Sequence, residues 1–267
     1  MSPNTSPQNP RIKLARQLQH SRDAREAEGL FVAEGTRLVD DLLGAGLVAR
    51  FACVGEHPAA LAWQTTRPDL ECLQVTDTVM RGLSSETTPP GVLAIFKMPQ
   101  TPAGSPEDRE AQVILILDGL REPGNLGACL RVAAGANCRH VLLAPGCVDL
   151  YNPKVVRGAM GAHARVLARH AGWDEIGAAC AGRPAWAAVA GGAASYDGVD
   201  WRDPNAVIVG SEAAGISPEA RAHASGTLAI PLANGVESLN AAVACGVILF
   251  EAARQRRAAA SIVRERN

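Results

Sequence analysis

Three short segments in the second half of the chain concentrate residues that could do chemistry. The first, residues 117–137, reads LDGLREPGNLGACLRVAAGAN and predicts a strand, a glycine-rich turn and a helix. Asn125 lies at the start of that helix, where free backbone N–H groups can meet a ligand. Arg131 follows within an otherwise apolar stretch, where a charge is costly unless it is paired or exposed. Arg131 is therefore either a functional group or the one solvated position of the helix.

The second segment, residues 206–217, reads AVIVGSEAAGIS and predicts an apolar strand that runs into Gly210 and Glu212. Ligand sites of parallel α/β folds form at the carboxyl ends of strands, which is where this acid falls. Two interpretations of Glu212 remain open from the residues alone. It contacts a ligand, or it caps the helix that follows.

The third segment, residues 228–251, combines a strand, a loop of small residues and an almost wholly apolar helix. Ser238 suits the N-cap of that helix. Asn240 then falls inside the first turn, although asparagine is a poor helix former with spare donors and acceptors. Two polar residues at the mouth of an apolar helix indicate contact with a ligand.

The elements that must position these segments form an α/β domain. Short, fully apolar strands separated by helices are typical of a parallel sheet covered on both faces. The predicted strands are residues 113–117, 141–143, 185–189, 206–209 and 228–230. The last helix, residues 238–257, is apolar through Phe250, so its first half should be buried against the sheet or a partner subunit.

The N-terminal part predicts a smaller α/β domain. Helical and strand patterns alternate between residues 31 and 98, and residues 99–111 combine prolines, glycine and charges without periodicity, as linkers do. We therefore expect a domain at 1–98, a linker at 99–111 and a second domain at 112–267.

Charge favours only a local contact with a polyanion, because the 26 Lys and Arg residues nearly balance the 27 Asp and Glu residues, giving a net charge of −1. The first 25 residues carry a local excess of positive charge on what looks like a short helix after Pro10. This helix is either a nucleic-acid-binding patch or a solvated face. The basic residues that we assign to the patch are Arg11, Lys13, Arg16 and Arg22.

Composition excludes several classes of protein. With 47% hydrophobic and 20% charged residues the chain is globular rather than disordered or fibrous. Its longest apolar run, residues 241–250, is far short of the roughly 18–20 residues that a membrane span needs. The 7 cysteines include no C-x-x-C pair, which predicts reduced thiols in a cytoplasmic protein without disulfides or zinc.

Taken in order, the three segments resemble the motifs of the SpoU (TrmH-like) branch of the SPOUT RNA methyltransferases. The resemblance rests on EPGNLG at 122–127 with Arg131, on GSE at 210–212 with Gly215, and on Ile230-Pro231 with SLN at 238–240. It covers about residues 112–257, while residues 31–43 more loosely resemble the ribosomal-protein-like substrate-binding domain of that family.

The resemblance implies a parallel sheet with a deep trefoil knot that holds S-adenosylmethionine, in a homodimer whose sites draw on both subunits. By position, the cofactor pocket would be formed by Gly210, Ile230, Leu239, Ser238 and Asn240. The implied reaction moves the sulfonium methyl group to a ribose 2′-hydroxyl of RNA.

The catalytic group implied by the resemblance comprises Asn125, Arg131, Glu212, Ser238 and Asn240. The family proposal makes the arginine the base, yet a guanidinium stays protonated because its pKa lies above about 12. We therefore expect Arg131 to orient the nucleotide and to offset the negative charge that develops on oxygen.

The implied substrate is ribosomal RNA rather than transfer RNA, because a separate N-terminal domain precedes the catalytic one. Arg157 is a further candidate phosphate contact, although Ala159 beside it and Ala213 after Glu212 depart from the usual family residues, serine and glycine. Two alternatives stay open: a transfer RNA methyltransferase, and a non-catalytic RNA-binding protein with a vestigial knot. A nicotinamide-dependent oxidoreductase would need a G-x-G-x-x-G fingerprint that the sequence lacks.

Overall fold

The computed structural model describes residue 6, residues 8–99 and residues 112–265, with side chains described as far as residue 261. The predicted linker at 99–111 lies outside the described residues apart from Pro99. The chain divides into two compact units. The first comprises Met1–Gln100 with Tyr151–Ala164, and the second comprises Thr101–Leu150 with Arg165–Asn267.

The first unit is built on a mixed four-stranded sheet in the order β1-β4-β2-β3. Its strands are β1 (Leu30–Glu34), β2 (Ala49–Val54), β3 (Cys72–Gln74) and β4 (Val92–Lys97). Strand β4 pairs antiparallel with β1 and β2, and β2 pairs parallel with β3. The predicted small α/β domain is therefore present.

Five helices cover the two faces of this sheet. They are α1 (Pro10–His20), α2 (Arg22–Glu28), α3 (Thr36–Gly44), α4 (Pro58–Thr65) and α5 (Asp77–Leu83). Helix α1 begins where predicted, because Pro10 occupies its first turn and the Asn9 side chain accepts a hydrogen bond from the Arg11 N–H. Helices α1 and α5 bury Ile12 and Met80 on one face, and α3 and α4 bury Leu42 and Trp63 on the other.

The segment Tyr151–Ala164 belongs to the first unit, although it lies far along the chain from the rest of that unit. It carries helix α7 (Pro153–Ala159), whose Val156 is buried with the α3–α4 core. The ring of Tyr151 lies 5.0 Å from that of Phe31 in β1. A segment that the sequence analysis assigned to the second domain thus packs on the four-stranded sheet.

The second unit holds a seven-stranded sheet in the order β7-β6-β5-β10-β8-β11-β9. The strands are β5 (Val113–Asp118), β6 (His140–Leu143), β7 (Leu167–His170), β8 (Ala185–Ala188), β9 (Ala194–Ser195), β10 (Asn205–Gly210) and β11 (Gly226–Ala229). Every neighbouring pair is parallel, which confirms the predicted fold class. Strands β7 and β9 were not predicted, since one is half polar and the other has two residues.

Helices cover both faces of this sheet. They are α6 (Pro123–Gly135), α8 (Trp173–Ala179), α9 (Pro218–His223) and α10 (Ala241–Glu265). Helices α8 and α9 bury Ile176 and Ala220 against strand residues such as Ile208. Helices α6 and α10 pack against each other so closely that a Cβ on Gly246 would lie 3.9 Å from Val132.

One face of the first half of the last helix is buried within its own chain, and burial of the other face against a partner subunit stays a prediction. Cys245 and Ile248 are fully buried, whereas Val243 and Phe250 are 51% and 47% exposed. The other face of α10 therefore presents apolar side chains to solvent. Within the described residues, no helix combines the length and the apolar character needed to cross a bilayer.

Candidate active site

The candidate active site lies at the carboxyl edge of the seven-stranded sheet. Strands β5 and β10 are central neighbours, and their last residues, Asp118 and Gly210, are in register. Helix α6 follows β5, so the first sequence motif (residues 122–127) lies next to the second motif (residues 210–215), which follows β10. Parallel α/β sheets build their sites at this edge.

The loop after β10 is folded tightly against the strand. A Cβ at Gly210 would collide with the carbonyl oxygen of Gly215, so the loop can take this path only because residue 210 is glycine. The far end of the loop is fixed by Asp118, whose Oδ2 accepts a hydrogen bond from the Ser217 N–H at 2.7 Å. Asp118 is buried and was not among the predicted residues. An acid at the end of a fully apolar strand was the signal that could have found it.

Three predicted residues, one from each motif, form a single hydrogen-bonded cluster. Asn125 Nδ2 donates to Glu212 Oε1 at 2.7 Å. Asn240 Nδ2 donates to the same Glu212 oxygen at 2.7 Å and to Asn125 Oδ1 at 2.9 Å. Residues 115 positions apart in sequence thus fix each other's orientation.

The same cluster caps helix α10. Asn240 Oδ1 accepts from the N–H groups of Ala242 and Val243, and Glu212 Oε1 accepts from the Ala241 N–H at 3.1 Å. A carboxylate is stabilised at a helix N-terminus because free N–H groups and the helix dipole favour negative charge there. Glu212 also keeps the loop after β10 attached to α10.

One local prediction was wrong, and one of the two open interpretations of Glu212 is excluded. The helix begins at Ala241, so Asn240 is its N-cap rather than a residue of the first turn, and Ser238 lies exposed in the preceding loop. Glu212 does not cap the helix that follows it. That helix, α9, is capped by Ser217, whose hydroxyl accepts from the Ala220 N–H at 3.1 Å.

A cavity of about 380 Å³ opens beside the cluster. Of the predicted cofactor residues, Gly210, Ile230, Ser238 and Leu239 line it, together with Glu212. Asn240 is outside the lining but is joined to it through Glu212. The cavity has mostly apolar walls and a few polar groups, and its volume falls within the range of small-molecule sites, so the residues present fit an adenosine-containing cofactor.

Sequence reasoning missed part of the cavity wall. Ala188 and Val189 at the end of β8 line it, as does Arg221 of α9. The signal for the first two was available, since the carboxyl end of every predicted parallel strand belongs to this edge. Arg221 could not have been found from the sequence, because it lies in a short helix outside the three motifs.

Arg131 is the predicted catalytic residue that the structure does not bring to the cluster. It follows Asn125 by six residues, which is about 9 Å along α6. It is exposed, is absent from the cavity lining, and makes no hydrogen bond or ion pair within the described part of the chain. It precedes Gly135 by four residues and so shares its face of α6. A Cβ on Gly135 would lie 3.5 Å from the Phe250 ring, which places Arg131 beside the exposed apolar face of α10.

Most of the predicted RNA contacts in the first unit already have acidic partners. Arg11 pairs with Glu71 and lies over the Phe51 ring at 5.8 Å. Arg22 pairs with Glu26 at 2.6 Å, and Arg157 pairs with Glu86.

Lys13 and Arg16 differ from these three arginines. Lys13 is exposed and Arg16 is half-buried, and neither has a hydrogen bond or an ion pair among the residues that the structure describes. Within the predicted patch, they are the two cations without an acidic partner.

A parallel α/β unit with a cofactor-sized cavity and a polar cluster at its carboxyl edge defines an enzyme fold that binds a nucleotide-like ligand. Residues 112–250 match the SpoU rRNA Methylase family, and residues 9–94 match the MRM3-like substrate binding domain. The chain therefore belongs to the SpoU rRNA methylase family.

Individual relatives agree with this assignment along nearly the whole chain. The mouse protein named rRNA methyltransferase 3, mitochondrial (Mus musculus) is 32% identical over 94% of this chain and 73% of its own length. A crystal structure described as an RNA 2′-O ribose methyltransferase is 32% identical, with a TM-score of 0.80 over 96% of this chain and 100% of that one. The AdoMet-bound rRNA methyltransferase from Sinorhizobium meliloti is 29% identical, with a TM-score of 0.79 over 95% of this chain and 97% of that one.

These matches confirm the predicted enzyme class, an S-adenosylmethionine-dependent RNA ribose 2′-O-methyltransferase, and the predicted cofactor. The roles of the individual site residues stay predictions.

Proposed function

We propose that this protein transfers the methyl group of S-adenosylmethionine to the 2′-hydroxyl of a nucleotide in ribosomal RNA. The observation that carries the proposal is the convergence of Asn125, Glu212 and Asn240 in one hydrogen-bonded cluster beside a cofactor-sized cavity. Ribosomal RNA is favoured because relatives that span both units are named rRNA methyltransferases.

In this proposal the cavity at the carboxyl edge holds the cofactor between Gly210, Ile230 and Leu239, with Ser238 and Asn240 at its mouth. S-adenosylmethionine supplies an activated methyl group on its sulfonium sulfur. The loop between β11 and α10 contributes Leu232 to the same cavity.

The chain's own residues orient the acceptor. Methyl transfer to the ribose oxygen would break the carbon–sulfur bond of the cofactor and release the 2′-hydroxyl proton to solvent water, and negative charge would develop on that oxygen. The task of the Arg131 guanidinium is to bind the phosphate of the target nucleotide and to offset that charge. The hydrogen bonds of the Asn125–Glu212–Asn240 cluster hold these side chains at the opening of the cavity, and the ribose binds next to them.

The protein acts as a homodimer in which Arg131 completes the site of the partner subunit. Two observations support this arrangement. Arg131 does not line the cavity of its own chain, and it shares a face of α6 with Gly135, which adjoins the 47% exposed Phe250 of α10. Exposed apolar surface beside a functional residue is typical of an interface, and most soluble homo-oligomers are two-fold symmetric dimers.

The first unit binds RNA through Lys13 and Arg16. Arg11, Arg22 and Arg157 can bind RNA only when their acidic partners release them.

We place the protein in the cytoplasm. All 7 cysteines lie in the described residues as thiols. Free thiols are typical of proteins in a reducing compartment.

The experiment that tests the function is incubation with tritiated S-adenosylmethionine and either unmethylated ribosomal RNA or unmethylated transfer RNA. We expect label in one alkali-resistant linkage of ribosomal RNA, since a 2′-O-methyl group blocks cleavage at that ribose. The Glu212→Ala variant should lose the label, and Glu219→Ala in α9, outside the cluster, should keep it.

Two results would overturn the proposal. Label in transfer RNA alone would make the protein a transfer RNA methyltransferase. Calorimetric binding of the cofactor without label in any RNA, including assembled ribosomal particles, would favour the non-catalytic RNA-binding protein.

A further inference from the structure

A second cavity lies at the opposite edge of the seven-stranded sheet. Its volume is about 710 Å³, larger than that of the cavity at the carboxyl edge. Its lining includes Val113, His140 and Leu167, which are the first residues of β5, β6 and β7. Because these strands are parallel, this cavity is at the amino edge of the sheet, away from the candidate active site. We call it the amino-edge cavity.

The amino-edge cavity is strongly basic. Arg139, which precedes β6, lines it together with Arg256 and Arg257 of α10. Among the described residues, no aspartate or glutamate belongs to the lining, and none forms an ion pair with these three arginines. Three arginines therefore line one cavity, and no acidic residue of the described part of the chain pairs with them.

Arg256 is the member of this group whose side chain is partly buried. Its side chain is half-buried, and its Nη1 atom is shielded from solvent and has no hydrogen-bond acceptor among the described residues. Burial lowers the pKa of this guanidinium, and the neighbouring charge of Arg257 lowers it further. The group still stays protonated at neutral pH. A buried donor needs a hydrogen-bond partner, which a water molecule or an anion in the cavity could supply.

We propose that the amino-edge cavity binds phosphate groups of the RNA substrate, so that the RNA contacts both edges of the sheet. This inference rests on the proposed function, since it takes RNA as the substrate. Arginine suits the site because its planar fork binds two phosphate oxygens at once. Arg139 and Arg257 are exposed, so a polymer can reach the cavity from solvent.

The helices set the distance that the RNA must cover. Helix α6 begins at the carboxyl edge with Asn125 near its start, and it ends at Gly135, which lines the amino-edge cavity. At 1.5 Å per residue, about 15 Å separates the two positions along the helix axis. A nucleotide strand rises about 3.4 Å per residue, so about five stacked nucleotides cover this distance. A substrate of ordinary length reaches both edges.

The test measures how the affinity for RNA depends on salt. The probe is ribosomal RNA transcribed in vitro, bound by the full chain over a range of potassium chloride concentrations. Each lost phosphate contact should flatten the slope of log K against log salt by about 0.7 for a single strand. We expect Arg256→Gln to flatten the slope by about 0.7, and the triple variant Arg139→Gln/Arg256→Gln/Arg257→Gln by about 2.

Arg254→Gln is the matched control, because it removes the same charge from the same helix. Arg254 is exposed and pairs through two nitrogens with Glu251, at 2.7 Å each, and it does not line the amino-edge cavity. We expect this variant to keep the slope of the unaltered protein. Cofactor affinity and melting temperature should stay unchanged in all variants, which shows that the fold and the carboxyl-edge cavity are intact.

Several results would overturn the inference. The first is an unchanged slope in the triple variant, or an equal change in Arg254→Gln. Another result concerns inorganic phosphate. If phosphate raises the melting temperature of the unaltered protein but not of the triple variant, and the triple variant keeps the salt slope of RNA binding, the cavity binds a small free anion instead of RNA. A changed sedimentation coefficient of the triple variant would assign the cavity to a subunit interface. The unaltered protein could also bind RNA but transfer no methyl group. The proposed function would then fail, but the salt slopes of the variants would still show whether the amino-edge cavity binds RNA phosphates.

Discussion

Two groups of arginines that we assign to RNA, one in each unit, differ in what they already bind. In the first unit, Arg11, Arg22 and Arg157 are each paired with a glutamate. In the second unit, Arg131 and the arginines of the amino-edge cavity have no acidic partner among the described residues. RNA must displace a carboxylate to use the first group, whereas it meets the second group directly. The number of arginines in a segment is therefore a poor measure of the charge that it offers to RNA.

The largest expected effect is a loss of methyl transfer on substitution of Arg131, which belongs to the second group of arginines. We expect Arg131→Ala to lower the rate of methyl transfer at least about 100-fold, because it removes the cation that offsets charge on the reacting oxygen. Cofactor affinity should stay within a few-fold, since Arg131 does not line the cofactor cavity. The measurements are single-turnover transfer to ribosomal RNA and calorimetric titration with S-adenosylmethionine.

Arg202→Ala is the control for this prediction, because Arg202 lies in the same unit and is paired with Asp200. It should transfer methyl groups at the normal rate. A large loss of cofactor binding in Arg131→Ala would mean that the residue belongs to the cofactor site, and that its exposure has another cause.

A mixing experiment asks whether Arg131 works in the partner subunit. Arg131→Ala and Glu212→Ala are each inactive in our proposal, but a dimer with one subunit of each type has one complete site if the arginine acts across the interface. Random exchange in a two-fold dimer should then restore about one quarter of normal activity. Mixed subunits that remain inactive would place Arg131 and Glu212 in the same chain's site. Sedimentation of the mixture shows whether exchange has occurred.

The parallel sheet could be predicted from the sequence because its central strands are buried on both faces. The runs at 113–117 and 206–209 are wholly apolar, and every one of their side chains is buried. Strand β7 escaped prediction because Arg169 and His170 interrupt its apolar pattern. The position of the segment Tyr151–Ala164 depends on packing against Phe31, which no local pattern encodes.

The candidate site was predicted as a set of residues but not as a geometry. Ser238 and Asn240 are both good N-cap residues, so local preference alone does not choose between them. Glu212 contributes to the choice from 28 positions away, because it accepts both the Asn240 amide and the first N–H of the helix. The amino-edge cavity was missed for a similar reason. Arg139 and Arg256 are distant in sequence, and only the parallel strands and the length of α10 bring them to one edge.

The smallest expected effect is a difference in the salt dependence of RNA binding between two double variants of the predicted basic patch. Lys13→Gln/Arg16→Gln and Arg11→Gln/Arg22→Gln remove the same charge from the first unit. The first pair has no acidic partner among the described residues, so its loss should flatten the salt dependence of RNA binding by about 1.4. The second pair is held by Glu71 and Glu26, and its loss should change the slope by much less.

Exposed ion pairs contribute roughly 0–1 kcal/mol, so both double variants should also fold normally, as their melting temperatures would show. Equal slopes for the two variants would mean that RNA displaces the glutamates at little cost. The contrast between paired and unpaired arginines would then fail in the first unit, and a count of basic residues would be the better guide to RNA binding there.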